Sequence, residues 1–410
     1  MVRKNCAVLF PFPAPAGPVA SRPKNKHEIL FIIIFMSSDP LTPKTIARRD
    51  FIKQAGCAAA AGAVLSQVMP AWGEDAAPAV VLALAGGAHI HTPNYMNILK
   101  NRKDVKVKCV WDHDAARAGR WAGALGCPTV DDPKAIWSDA EIKGVVICSE
   151  TDRHKDLVLA AAAAGKNMFV EKPLGFTSED SKAMAAAIEK SGKVFTTGYF
   201  MRTDPVLLFL KEQVGKGSFG KISRVRGSNC HNGSLAHWFD TDYRWMADPK
   251  IAGVGAFGDL GTHALDILMW MFGDVDSITA DIKVVAGNYG DCDESGEALL
   301  KFKNGITGTL AAGWVDLANP DTFLISGTEG FAYVDRGSLF FASRNVPGAN
   351  GRQPWVDLPP PAPPPMDQFV DAVAGKTGLP LVTPQEAAAR VSVMEAAYKG
   401  SHTHAWVSPA

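Results

Sequence analysis

The feature that most constrains this chain is the alternation of short, continuous apolar runs with helical stretches between residues 80 and 197. Val80–Ala85 and Gly144–Cys148 have the length and composition of buried strands, and Val105–Trp111, Asn167–Val170 and 193–197 are read as strands beside them. Between them, 93–99, 114–125, 155–164 and 178–190 have helical patterning, and Gly165 is a natural helix stop. Strands alternating with helices at these lengths form βαβ units and a parallel sheet covered on both faces. The pattern then changes. Ile278, Ala280, Ile282 and Val284 alternate with Thr279, Asp281 and Lys283, and Leu300 and Phe302 alternate with Lys301 and Lys303. Asn304-Gly305 is a type I′ hairpin signal, and Ile306, Gly308 and Leu310 alternate after it. The expectation is an α/β Rossmann domain followed by an α+β domain with an open, largely antiparallel sheet, one face of it covered by helices and the other a surface for self-association. Pro359–Pro365 forms a polyproline-like connector, and Thr383, Pro384 and Glu386 cap a last helix reaching about Tyr398.

Before residue 80 the sequence has the features of an address. Arg48-Arg49-Asp50-Phe51-Ile52-Lys53 precedes a weakly hydrophobic run, Ala55–Met69, and Ala71-Trp72-Gly73 offers small residues for a signal peptidase. In that order these are the parts of a twin-arginine export signal, with the mature protein starting near Glu74 in the periplasm. Met36 is an alternative start, because residues 1–35 are Pro-rich and their apolar run, Ile29–Phe35, is far short of the roughly 20 residues that span a bilayer. The expected organisation is an extension and signal over 1–77, a nucleotide-binding domain over 78–198, and a substrate and oligomerisation domain over 199–410. The expected partners are a small-molecule substrate, the twin-arginine translocase during export, and further copies of the chain in a dimer or tetramer. Lys and Arg number 42, as do Asp and Glu, so the basic excess of a nucleic-acid-binding protein is missing. The seven cysteines include no CxxC pair, and their spacing suggests neither a disulfide framework nor a zinc site, so no metal is expected.

The candidate chemistry lies at the ends of the parallel strands, where ligands bind in such sheets. The first strand runs into Gly86-Gly87-Ala88-His89-Ile90-His91. A dinucleotide fingerprint needs glycine for a tight turn and for close approach to the pyrophosphate. Gly86 fills the first position, while Ala88 and His91 stand at the second and third, so an ordinary strand-to-helix turn is the alternative. Asp112 ends the second strand, where a carboxylate accepts bonds from ribose hydroxyls and repels the extra phosphate of NADP, so NAD is favoured over NADP. Helix capping is its alternative role. Glu171-Lys172-Pro173 follows the fourth strand, and a lysine there can polarise a hydroxyl or carbonyl; a surface ion pair is the bland reading. Asp259 and His263 share a face if their segment is helical, which suits a histidine base oriented or charge-stabilised by a carboxylate; a capping aspartate beside a core histidine is the alternative.

Together these pieces resemble the glucose–fructose oxidoreductase / inositol dehydrogenase (Gfo/Idh/MocA) family over about residues 79–400. Three motifs carry the likeness: Ala-Gly-Lys-Asn-Met-Phe-Val-Glu-Lys-Pro at 164–173; Gly258-Asp259 through His263 and Asp266; and Ser326-Gly327-Thr328-Glu329-Gly330. Tyr199, Arg202 and Pro205 look like the family's lead into its second domain. The resemblance implies that Lys172, Asp259 and His263 are catalytic and that the Lys172–Pro173 bond is cis. It also implies that Ser149, Thr151 and His154 lie in a loop near the nicotinamide, with Gly86, Gly87, Ala88, His89, Ile90, Asp112, Glu171 and Lys172 completing the cofactor site. Tyr199, Arg202, Tyr243 and Arg244, with Asp259 and His263, are expected on the substrate side. Glu150 and Thr151 depart from the family's usual proline and asparagine. The implied activity is NAD-dependent hydride transfer to or from a carbon of a sugar, cyclitol or related polyol. A redox-neutral NAD-dependent glycosidase or lyase is the second expectation, and a non-catalytic nucleotide-binding member the third.

Overall fold

The computed structural model of the chain describes residues 80–410. The expected signal and the cleavage site near Glu74 lie outside the described residues. The first sheet contains β1 (Val80–Gly87), β2 (Val105–Trp111), β3 (Gly144–Cys148), β4 (Asn167–Val170) and β5 (Phe195–Thr197). All pairings are parallel, in the order β2-β1-β3-β4-β5. The chain reverses direction across the sheet between β1 and β3, and that switch point is where such folds open a ligand crevice. Helices α1 (Thr92–Asn101), α2 (Ala115–Leu125), α3 (Lys134–Ser138), α4 (His154–Ala163) and α5 (Ser178–Ser191) connect the strands. Their ends follow the sequence: Asp114 accepts the Arg117 amide as N-cap of α2, and Gly126 and Gly192 close α2 and α5 in the left-handed conformation.

The second layer begins with α6 (Pro205–Gly215), β6 (Ile222–Cys230), the short α7 (Pro249–Ala252) and α8 (Ala256–Phe272). It continues through β7 (Val275–Lys283), β8 (Ser295–Phe302), β9 (Thr307–Gly313), β10 (Asp321–Gly327), β11 (Gly330–Asp335), β12 (Ser338–Ser343) and β13 (Asn350–Pro354). These eight strands form one sheet, β13-β12-β11-β10-β6-β9-β8-β7, antiparallel except where β6 meets β9. Strict alternation in β8, buried at Gly296, Ala298, Leu300 and Phe302 and exposed at Glu297, Leu299 and Lys301, gives the sheet the two unlike faces expected. The apolar face packs on α8, which is buried along nearly its whole length. The β8–β9 hairpin forms where Asn304-Gly305 placed it, but the turn is not type I′. Only Gly305 has a positive φ (87°), and the Gly305 amide donates to Phe302 O at 2.9 Å. A type I′ turn needs positive φ at both central residues. Here Asn304 stays on the ordinary side and its side chain donates to Phe272 O at 2.7 Å.

The end of the chain returns to the first sheet. In α9 (Pro365–Val373), Met366, Phe369 and Val370 pack with Leu82, Leu84, Val146 and Phe169. In α10 (Pro384–Thr403), Ala387, Ala388 and Val391 join Val158, Met184 and Ile188. The expected capping box is present, Thr383 and Glu386 each satisfying the other's backbone. The 199–410 segment thus supplies part of the core of the nucleotide-binding layer.

Candidate active site

The site is built on the carboxyl ends of β1, β3 and β4 and on the first turns of α8. Gly86 ends the straight part of β1 with φ 88°, and a Cβ there would lie 2.6 Å from the Ser149 Cβ, so this turn requires glycine. At Gly87 an added Cβ would lie 2.5 Å from the Trp121 Nε1, whose N–H donates to Gly87 O at 2.9 Å. Ala88 is buried, and the Trp245 indole donates to its carbonyl at 3.2 Å. His91 is the N-cap of α1 yet makes no side-chain capping bond; its ring turns to Glu171 instead.

Lys172 lies at the end of β4, after Glu171 and before a cis bond to Pro173. Its side chain is 2 % exposed, and its Nζ donates to Asp259 Oδ1 at 2.6 Å and to Asp259 O at 3.3 Å. Asp259 also accepts the Trp314 indole N–H at 3.3 Å. Burial alone would raise the Asp259 carboxyl; the charge and hydrogen bond of Lys172 outweigh it and hold the group below its usual value. One turn on, His263 is buried, and its Nδ1 has no hydrogen-bond partner among the described residues. Burial, then the charges of Lys172 and His91, hold this imidazole well below its ordinary pKa, so it is neutral near pH 7. Its ring lies 4.8 Å from that of Phe200 and 6.0 Å from those of Tyr199 and His91, between centroids. Asp259 and His263 therefore share a helix face as expected. The carboxylate, however, is committed to Lys172 and Trp314, and makes no hydrogen bond to His263 among the described residues.

The remaining candidates fall into two groups. Ser149 and Thr151 are buried in the loop after β3, and His154 clamps that loop to the next. Its Nδ1 lies 3.1 Å from Pro173 O and 3.2 Å from Leu174 O, and its Nε2 lies 3.3 Å from Ser149 O. Tyr199 is buried against the site, its hydroxyl 3.0 Å from Thr262 Oγ1. Burial, with Asp266 nearby, pushes this phenol above its ordinary value, so it keeps its proton. Arg202 and Arg244 are occupied elsewhere. Arg202 donates to Asp266 at 2.8 and 2.6 Å and to Glu386 at 2.9 Å, and Arg390 donates to the same Asp266 at 2.9 Å. This buried network ties α8 to α10. Arg244 lies over the Tyr289 ring, 4.7 Å from its centroid, and Tyr243 is half-buried.

Asp112 is at the end of β2 as expected, but its carboxylate is shared. Oδ2 accepts the Gly87 amide at 2.8 Å and Arg117 Nε at 2.7 Å; Oδ1 accepts the Asp114 amide at 3.0 Å and Arg117 Nη2 at 2.7 Å. The same Nη2 donates to Glu150 Oε1 at 2.9 Å. Sequence reasoning missed this Asp112–Arg117–Glu150 chain. The signal was there in the unusual Glu150, which stands opposite an arginine five residues beyond Asp112. The strand–turn–helix, the glycine-only turn at Gly86 and the carboxylate after β2 fit a dinucleotide. An unpartnered buried imidazole beside Lys172 fits a ligand hydroxyl.

Comparisons with known proteins agree with this geometry. Residues 81–199 match the sequence model described as "Oxidoreductase family, NAD-binding Rossmann fold", and residues 207–333 match the "GFO/IDH/MocA C-terminal domain". The chain is 29% identical over 252 residues to levoglucosan dehydrogenase of Pseudarthrobacter phenanthrenivorans, covering 55% of this chain and 64% of that protein, so it spans less than two thirds of that relative. It is 28% identical over 261 residues to scyllo-inositol 2-dehydrogenase (NAD(+)) of Bacillus subtilis, covering 62% and 72%. Among solved structures, levoglucosan dehydrogenase in complex with NADH and levoglucosan has the same fold, with a TM-score of 0.66 at 23% identity over 80% of this chain and 99% of that one. The two sequence models belong to one family and together cover more than half of the chain, and the chain belongs to the Gfo/Idh/MocA family of NAD-binding oxidoreductases.

Proposed function

We propose that the protein transfers a hydride between NAD and a carbinol carbon of a sugar, cyclitol or related polyol. The observation that carries this is the buried Lys172–Asp259 pair, 2.6 Å apart, on the same cleft as a neutral His263 whose Nδ1 has no partner among the described residues. NAD, its pyrophosphate held by the β1–α1 turn at Gly86–Ile90 and its ribose by Asp112, would supply a reversible hydride acceptor. The chain supplies the proton chemistry. His263 takes the hydroxyl proton in oxidation and returns it in reduction, its lowered pKa leaving the lone pair free at neutral pH. Lys172, held in place by Asp259, donates to the reacting oxygen and stabilises the negative charge that grows there. Trp314, through Asp259, fixes the lysine's partner. Relatives named as levoglucosan and inositol dehydrogenases support a cyclic polyol as substrate. The test is a pair of variants: Lys172→Ala and His263→Ala should each lower turnover about a hundredfold or more. NAD binding should change far less than turnover in both, because the Gly86 turn and Asp112 are untouched. Wild-type turnover in His263→Ala would move the base elsewhere.

We also propose that the twin-arginine signal delivers this enzyme, already folded and loaded, to the periplasm. The five described cysteines are all free, which agrees with folding in a reducing compartment. Free cofactor is scarce outside the cytoplasm, so a tightly held NAD recycled within the site follows. Self-association in a dimer or tetramer through the uncovered face of the second sheet completes the proposal. That face carries Leu299 and Phe331, 39% and 41% exposed, and the stacked Tyr333–Phe340 pair.

A further inference from the structure

We propose that His89, His91 and Glu171 form a binding site for one divalent transition ion of the zinc class, at the edge of the catalytic cleft. Two imidazoles and a carboxylate are the donor set of many three-ligand zinc sites. Here the two histidines come from the loop between β1 and α1, and the glutamate follows β4. His89 Nδ1 lies 3.6 Å from Glu171 Oε1, and His91 Nδ1 lies 2.8 Å from the same oxygen. All three donor atoms are within 4.8 Å of one another, and among the described residues no other group of three such side chains meets this condition. A tetrahedral ion with bonds of about 2.0–2.1 Å holds its donors roughly 3.3 Å apart. The two observed separations bracket that value, so small rotations of the rings admit the ion.

Binding displaces a proton from the cluster, because His91 Nδ1 and Glu171 Oε1, 2.8 Å apart, hold one between them. His89 Nδ1 accepts the His91 amide N–H at 3.2 Å, which places its lone pair on Nδ1. That bond is long, and the ion would replace it. Glu171 is fully buried. Its Oε1 faces the His91 ring and its Oε2 faces the Tyr95 hydroxyl. The supporting contacts are built as well. Tyr95 donates to Glu171 Oε2 at 2.7 Å, which orients the carboxylate and leaves Oε1 for the ion. Gly198 makes room for this arrangement, since a Cβ there would collide with both Glu171 Oε2 and the Tyr95 hydroxyl. Lys172 is paired with Asp259, so once His91 gives up its proton the Glu171 carboxylate is left to balance a cation. His91 is 29% exposed, so the ion is reachable from the cleft and keeps a position for water or a ligand. This also explains the sequence. His91 occupies the third fingerprint position, where glycine is usual, and its side chain makes no capping bond.

The experiment uses the full chain, stripped with a chelator and titrated with Co(II), then with Zn(II). One equivalent of Co(II) should give the visible absorption of a four- or five-coordinate site, and one equivalent of Zn(II) should abolish it. His89→Ala and His91→Ala should each weaken Co(II) binding at least tenfold, the scale of losses from altered metal shells. His237→Ala, at an exposed histidine outside the cluster, should not weaken it. His91→Asn provides a second variant should the alanine fail to fold, with thermal unfolding as the check. Absence of a stoichiometric Co(II) spectrum in the wild type overturns the proposal, as does an unchanged spectrum in a folded His91 variant. The titration requires no turnover, so its failure leaves the hydride-transfer reading standing, and the failure of that reading leaves the ion site standing.

Discussion

At the residue scale, the site is a set of charges whose partners decide their roles. Asp112 is the expected ribose carboxylate, yet Arg117 already grips both of its oxygens, and Glu150 holds the free edge of the guanidinium. Arg117 is thereby kept from a 2′-phosphate. Asp112→Ser releases it, and a charge-assisted bond of about 1.5–3 kcal/mol should shift relative affinity toward NADP by about tenfold or more. Titration of both cofactors into the variant checks this; unchanged preference for NAD would contradict it. The lowered pKa of His263 has an equally specific consequence. A base must be unprotonated, and a depressed pKa keeps it so through neutrality. kcat/KM for alcohol oxidation should therefore be level near pH 7 and fall only as the pH drops through a value below 6.5. An acid limb above that value in the pH profile would assign it to another group. The sequence made the identities of Lys172, Asp259 and His263 legible through their motifs. It did not make their pairing legible. Four-residue spacing places Asp259 beside His263 on one helix face, but the partner that claims the carboxylate comes 87 residues earlier, from β4. Arg202 shows the same limit: its motif was visible, but the acids that consume it, buried Asp266 and partly exposed Glu386, are far away in sequence.

At the scale of elements, local patterning set the first sheet closely. β2, β3 and β4 have the bounds read from sequence; β3 and β4 are buried, continuous apolar strands, while β2, at the sheet edge, is only partly buried and carries two lysines. The later hairpins, β10 to β13, are short and carry exposed aromatics, and their pairing depends on neighbours in space, so periodicity says less about them. Helix α9 escaped notice for a similar reason: nine residues after a proline run give little periodic signal, yet the helix closes a core. Phe369 is fully buried there, 6.0 Å from Phe169 between ring centroids. Phe369→Ala should cost about 3–5 kcal/mol, measured by urea denaturation. A loss below 1 kcal/mol would mean that α9 contributes little to the nucleotide-binding layer.

At the scale of the molecule, one chain brings a parallel sheet and an open sheet together so that neither holds the proposed reacting groups alone. Lys172 comes from the first, and Asp259 and His263 come from α8 beneath the second. The uncovered face of the second sheet should join copies of the chain, and light scattering at micromolar concentration should give a dimer or tetramer; a monomer would contradict that assignment. The central claim is that a hydride passes between a polyol carbon and the nicotinamide. The most direct measurement loads the protein with NAD, mixes it with inositols and anhydro-sugars deuterated at their carbinol carbons, quenches within the first turnover, and weighs the cofactor by mass spectrometry. The account predicts deuterium on the nicotinamide in the wild type and none above background in His263→Ala. Consumption of a labelled polyol with no deuterium reaching the cofactor would contradict it.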